Sequence, residues 1–215
     1  MAELTPTVIV IDDDAGIREG VGSLLRSVGR QVKLLASVDE FLKTGRPHGP
    51  ACMVLDVRFP GRSGLDFQRE LADANIHLPI IFLTGHGDVP MTVKAMKGGA
   101  IEFLTKPFRD QDLLDAIQQG IELDRARLAQ EEELAVLKAR FELLTPRERE
   151  IMSFVVKGRL NKQIAAEIGV SEITVKVHRG QVMRKMRAAS LPELARMADR
   201  LKARPGASYY PAPST

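Results

Sequence analysis

Carboxylates at Asp12, Asp13 and Asp56, a hydroxyl at Thr84 and an amine at Lys106 each follow a short apolar run, and this set can handle phosphate. Carboxylates packed together repel one another unless a cation lies between them, so a shared acidic pocket points to a divalent metal. Magnesium or manganese takes oxygen ligands, with water and phosphate completing the shell. Asp12, Asp13 and Asp56 can supply those oxygens. Asp56 is also the candidate nucleophile, because a carboxylate can attack phosphorus to give an acyl phosphate. Lys106 would then hold a phosphoryl oxygen as a point charge, and Thr84 would donate a hydrogen bond to another. Backbone amides at Val57, Arg58 and Gly85 can add donors.

These groups meet only if the chain brings the ends of their runs together. Val8–Ile11, Met53–Leu55, Ile80–Leu83 and Phe103–Thr105 are apolar nearly throughout, the pattern of strands buried on both faces of a parallel sheet. Another strand runs through Val32, Leu34 and Leu35. Helical spacing separates them: Ile17, Val21, Leu24, Leu25 and Val28 stop at Gly29, and Val93, Met96 and Ala100 follow Gly87. Pro60–Gly64 is a turn-rich loop. The alternation predicts an α/β domain over residues 5–125, a doubly wound five-stranded parallel sheet with its ligand crevice outside the carboxyl ends of the strands.

Residues 111–140 hold no proline and no glycine beyond Gly120, which predicts one long linker helix. Leu114, Ile117, Ile121 and Leu128 follow part of a heptad stripe, and Leu134, Leu137, Phe141 and Leu144 continue it in a shifted phase. Asp124 and Glu131 fall where a seam wants apolar residues. Such a helix suits either pairing with a second copy or an exposed spacer.

The 215 residues allow two modest domains, and their charge is divided. Residues 1–139 hold 16 Lys/Arg against 21 Asp/Glu, a net −5, while residues 140–215 hold 15 against 7, a net +8. A basic second half suggests a polyanion partner. No apolar run spans a bilayer and Met1–Thr7 lacks the blocks of a secretion signal, so a cytoplasmic protein with no membrane partner is expected. The lone Cys52 lies in an apolar run, as a small core residue would, and rules out a disulfide framework.

Residues 141–204 predict a small all-α domain of four helices. Thr145 caps the first, with Pro146 in the first position, and Ile151, Phe154 and Val155 form its apolar face before Gly158. Asn161 is placed as cap of the second, where Ile164, Ala165 and Ile168 face inward before Gly169. Ser171 caps the third. A short helix, a glycine turn and a polar-rich helix signal a helix-turn-helix. On the third helix Val175, His178, Val182 and Met186 share a core stripe, which turns Thr174, Lys176, Val177, Gly180, Met183 and Arg184 outward. Lys176 and Val177 are the base-edge candidates, one for hydrogen bonding and one for a thymine methyl, with Thr174 beside them. Lys162, Arg179, Arg184 and Lys185 are the phosphate candidates. Gly180, in mid-helix, costs about 1 kcal/mol against alanine. His86 receives no role, and residues 205–215, rich in proline, are expected to be disordered.

The stretches IDDD, LDVRFPGRSG, FLTGHGD and EFLTKPF resemble the receiver domain of two-component response regulators, and LTPREREIM, NKQIAAEIGVSEITVKVHRGQVMRKM and LPELARMA resemble the LuxR-type DNA-binding domain. Together they make the chain similar to FixJ- or StyR-type response regulators. The resemblance implies that Asp56 accepts phosphate from a sensor histidine kinase, and that Asp12 or Asp13 binds magnesium together with Asp56 and the Arg58 carbonyl. Thr84 and Lys106 would sense the phosphoryl group. It further implies a cis Lys106-Pro107 bond and a switching aromatic at Phe103, which lacks a hydroxyl and would act by packing alone. Phosphorylation would drive homodimerisation and binding to promoter DNA, with RNA polymerase as a further partner. The last helix, through Leu194, Met197, Ala198 and Leu201, would offer a dimer contact. On this reading the chain is no enzyme beyond its own phosphotransfer and dephosphorylation. The rival phosphatase of the haloacid dehalogenase type would carry its nucleophile on the first strand, with a second acid two residues beyond. A second rival is a constitutive DNA-binding or protein-interaction protein with a vestigial receiver.

Overall fold

The computed structural model describes residues 5–85 and 87–202, so His86 and the tail from 205 to 215 lie outside the described residues. The chain divides into two compact units, Met1–Ala129 and Gln130–Thr215. In the first, strands β1 (Thr7–Ile11), β2 (Gln31–Leu35), β3 (Ala51–Asp56), β6 (Ile80–Thr84) and β7 (Glu102–Thr105) form one sheet in the order β2-β1-β3-β6-β7. All four pairings are parallel. The chain order reverses between β1 and β3, so crossovers depart to opposite faces there and leave a crevice at the carboxyl ends of those two strands.

Both faces of the sheet are covered, which is why its strands read as unbroken apolar runs. Ile9, Ile11, Met53, Leu55, Ile80 and Phe82 point to one face, against Phe41 of α2 (Val38–Thr44), Phe67 and Leu71 of α3 (Gly64–Asp73) and Ala95 of α4 (Val89–Lys97). Val8, Val10, Cys52, Val54, Ile81 and Leu83 point to the other. There they meet Val21 and Leu25 of α1 (Ala15–Ser27) and Leu113, Ile117 and Ile121 of α5 (Asp110–Glu142). Burial pushes the Cys52 thiol well above its ordinary value, as expected of a core residue.

Three local expectations are corrected. The Pro60–Gly64 stretch contains half of a hairpin, β4 (Arg58–Phe59) paired antiparallel with β5 (Arg62–Ser63), with Gly61 at φ 74° in the turn. Two residues per strand are too few to leave a periodic signal. On α4 only Ala95 is buried, while Val93 and Met96 are 45% and 43% exposed. On α5 the buried stripe runs through Leu113, Ala116, Ile117, Gly120, Ile121 and Asp124.

Asp124 is therefore no flaw in a seam. Its side chain is fully buried, and both oxygens take the Arg46 guanidinium, at 2.5 and 3.1 Å. It also accepts the Ala51 amide at 2.7 Å, at the first residue of β3, and the Arg127 side chain at 3.0 Å. A bidentate pair with a further backbone donor satisfies the carboxylate as apolar packing could not.

The second unit packs α6 (Pro146–Val155), α7 (Asn161–Ile168), α8 (Glu172–Met186) and α9 (Leu191–Lys202) around Ile151, Met152, Ile164, Val175, Val182, Met186 and Leu194. The last turns of α5 contribute Leu137 to this core, followed by Leu144. Among the described residues no helix is long and apolar enough to cross a membrane. Replacing Asp124 by Ala leaves the Arg46 charge and the Ala51 amide without their partner. Asp124→Ala is expected to lower the stability of the first unit by about 3 kcal/mol, read as a shift of its transition in calorimetry.

Candidate phosphoryl site and nucleic-acid interface

The crevice between β1 and β3 gathers the predicted acids. One carboxylate oxygen each from Asp12, Asp13 and Asp56 lies within 4.8 Å of the others. Asp12 is buried, Asp56 half-buried and Asp13 exposed, an oxygen-only set open to water on one side. That composition fits a magnesium or manganese ion, which keeps several waters. Lys106 crosses the pocket and bonds both Asp12 Oδ2, at 2.7 Å, and Asp56 Oδ2, at 2.9 Å. Burial opposes the Lys106 charge, but its bonds to Asp12 and Asp56 overcome this and hold the ammonium above the ordinary lysine value. Burial raises Asp12 above the ordinary carboxylate value even against its bond to Lys106.

The sheet explains how distant residues reach this place. Asp56 is in register with Leu83, and Thr84 with Thr105, so Thr84 and Lys106 follow in the rows next to Asp56. The Lys106 amide bonds the Thr84 carbonyl at 2.7 Å, and the Lys106-Pro107 bond is cis. Thr84 is buried. The Arg58 amide approaches Asp56 Oδ1 at 3.2 Å, whereas the Val57 amide is taken by the Leu83 carbonyl at 3.3 Å and serves the sheet instead. Gly64 lies so close to the loop that a Cβ there would meet the Asp56 carbonyl at 2.3 Å. Phe103 is half-buried, with its ring 6.2 Å from that of Phe82.

Sequence reading missed Arg18 and the engagement of Arg62. Arg18 donates to the Asp12 carbonyl at 2.7 Å and fixes the loop that carries the acids. Its signal was available: Asp14 caps α1, accepting the Gly16 and Ile17 amides, and Arg18 stands one turn beyond that cap. Arg62 binds Asp39 at 3.0 Å and also Glu70, with its guanidinium 5.7 Å from the Phe67 ring centre.

In the second unit Val175, Val182 and Met186 are buried and His178 is half-buried, as the phasing requires. Lys162, Lys176, Val177 and Arg184 are exposed, and Lys157 and Arg159 add exposed charge at the turn before α7. Thr174 is half-buried, its hydroxyl 2.9 Å from that of the cap Ser171. Arg179 is drawn to Asn161, which is the first residue of α7 rather than its cap; Leu160 holds that place. Lys185 needs the clearest correction. It bonds Glu148 Oε2 at 2.6 Å, and the same oxygen accepts the Thr145 amide at 2.8 Å in the capping box of α6. Lys185 thus ties α8 to α6, and its charge already has a partner inside the domain.

Comparison with known proteins assigns both halves. Residues 8–118 match the response regulator receiver domain, and residues 142–198 match the luxR family of bacterial regulatory proteins. The chain belongs to the two-component response regulators. It is 55% identical over 194 residues to nodulation protein W of Bradyrhizobium diazoefficiens, covering 90% of this chain and 86% of that protein. Response regulator protein TmoT of Ectopseudomonas mendocina is 45% identical over 94% of this chain and 92% of its own length. Among solved structures, the response regulator StyR aligns with a TM-score of 0.82 at 46% identity, covering 91% of this chain and 99% of that one. The response regulator is accordingly a transcription regulator built from a receiver and a LuxR-type DNA-binding domain.

The DNA-binding half of this regulator depends on a buried acid. Burial penalises the Glu148 charge, but its bonds to Lys185 and to the Thr145 amide prevail and hold its carboxyl below the ordinary value of 4.5. A depressed folded value contributes stability that is complete above the unfolded value and disappears as pH falls through the folded one. The melting temperature of the second domain should therefore fall as pH is lowered below about 4.5. Glu148→Gln should remove about 2 kcal/mol at neutral pH and flatten that acid limb in a pH series of thermal melts.

Proposed function

We propose that Asp56 receives a phosphoryl group from a phosphohistidine of a sensor histidine kinase, and that the modified receiver dimerises and carries α8 to promoter DNA. The observation that carries this reading is the single Lys106 ammonium shared between Asp12 and Asp56. A cation so placed keeps Asp56 oriented, and it can follow the negative charge when that moves outward onto a phosphoryl group. An Asp56 oxygen attacks phosphorus, the phosphorus–nitrogen bond to the imidazole breaks, and its electron pair leaves on the ring nitrogen, which takes up a proton. Magnesium or manganese held by Asp12, Asp13, Asp56 and the Arg58 carbonyl would neutralise charge on the transferring oxygens. Lys106 then pairs with one phosphoryl oxygen, and the Thr84 hydroxyl donates to another.

The response to that charge is a population shift towards a dimer. Thr84 leads through Gly85–Asp88 into α4, and Phe103 lies against Gly87, where a Cβ would meet its ring at 2.9 Å. Val89, Val93 and Met96, at i, i+4 and i+7, leave α4 with an apolar outer stripe, 77%, 45% and 43% exposed. Lys94 and Lys97 flank it, and exposed Asp110, Asp112 and Asp115 open α5. Such a face suits a second copy of the receiver. On DNA, Lys176 and Val177 contact base edges with Thr174 beside them, while Lys162, Arg179 and Arg184 meet phosphates in a cytoplasmic regulator that engages RNA polymerase.

Asp56→Asn should take up no label from acetyl phosphate and should remain monomeric by light scattering. An Asp56→Asn protein that dimerised and bound promoter DNA after that treatment would overturn the scheme. Val93→Glu should be labelled at the wild-type rate yet stay monomeric, with DNA affinity at the unphosphorylated level.

A further inference from the structure

Ile173 is 77% exposed and Val177 58%, one turn apart at the start of α8, in a domain whose other large aliphatics mostly lie in its core. At 3.6 residues per turn, Ile173, Val177, Gly180 and Arg184 fall within about 60° of arc. That stripe is almost diametrically opposite the buried Val175, Val182 and Met186. The helix therefore has two apolar faces, and the fold uses only one. Gly180 continues the outer stripe, and a Cβ there would meet nothing within 4 Å, so neither packing nor backbone conformation calls for glycine.

We infer that Ile173 and Val177 form a paired contact for thymine methyl groups, with Gly180 leaving the helix surface bare on the same stripe. The inference rests on the proposed role of α8 in DNA binding and specifies the ligand chemistry of that face. The side chains at the N-terminal end of a recognition helix are those that reach base edges. The thymine 5-methyl is the one apolar group presented in the major groove. Two exposed aliphatic side chains one turn apart match that chemistry, and a hydrogen-bonding pattern does not. Arg184 ends the stripe, Lys176 is exposed beside Val177 on the same helix and Lys162 is exposed on α7, in a half with the net charge of +8 that suits a phosphate backbone. These cations select DNA as the occupant over an apolar protein surface.

The test uses the full chain phosphorylated with acetyl phosphate and a duplex selected by that protein from a random pool. Each thymine in the site is replaced in turn by uracil, which lacks only the methyl group. At one or two positions uracil should weaken wild-type binding about fourfold, the loss of one buried methyl. Ile173→Ala or Val177→Ala should weaken binding to the thymine duplex and become indifferent to uracil at its own position. Binding that ignores uracil throughout, or losses from protein and DNA changes that simply add, overturns the inference and leaves DNA recognition by α8 standing. So does an Ile173→Ala protein with unchanged DNA affinity and lost transcription, which would make the stripe a surface for the polymerase. A wild-type chain that selects no sequence from the pool overturns the proposed DNA reading as well.

Discussion

One ammonium group shared by two carboxylates is the constraint on which the receiver depends. Three acids at the ends of adjacent strands repel one another in a pocket that is partly closed to water. Lys106 offsets that repulsion, reaching Asp12 and Asp56 from a residue fifty positions beyond Asp56. The parallel sheet makes this possible, because its register delivers the carboxyl ends of β1, β3, β6 and β7 to one edge whatever their separation in sequence. Arg18 and the Asp14 cap hold the β1–α1 loop by its backbone, which leaves the Asp13 side chain at the open side of the pocket.

The same arrangement couples charge to surface. Thr84 ends β6, the loop after it leads into α4, and Phe103 on β7 lies against Gly87 of that loop. A group that recruits the Thr84 hydroxyl therefore acts on a segment whose other end carries the exposed stripe of α4. Phe103 has no hydroxyl with which to mark one state by a hydrogen bond. In the proposed switch its two states would differ only in how its ring packs near Phe82, a smaller energetic difference that suits a population shift better than a latch.

The sheet, its strand ends and the helix-turn-helix were legible because each obeys a period: unbroken apolar strands, helical spacing, and caps at Thr145 and Ser171. What escaped was whatever a period cannot carry. Asp124 looked like a defect in a heptad because its partner, Arg46, stands 78 residues away in a loop. The β4–β5 hairpin is too short to alternate, and the partners of Arg62, Asp39 and Phe67, lie on separate elements. Lys185 was read as a phosphate contact because a lysine on a recognition helix usually is one. Only the fold reveals that Glu148 of α6 already occupies it.

That last exchange has a consequence for how α8 is built. Lys185 at its carboxyl end is committed to the α6 capping box, so part of the helix's charge serves to fix its own orientation. The face that remains for DNA is consequently less cationic than the sequence suggests. Its outermost stripe is aliphatic, then bare, then cationic at Arg184. On the proposed reading, a helix held by its charged side and presented by its apolar side would gain sequence discrimination from shape and methyl contact, while the exposed lysines and arginines would supply affinity that is blind to sequence.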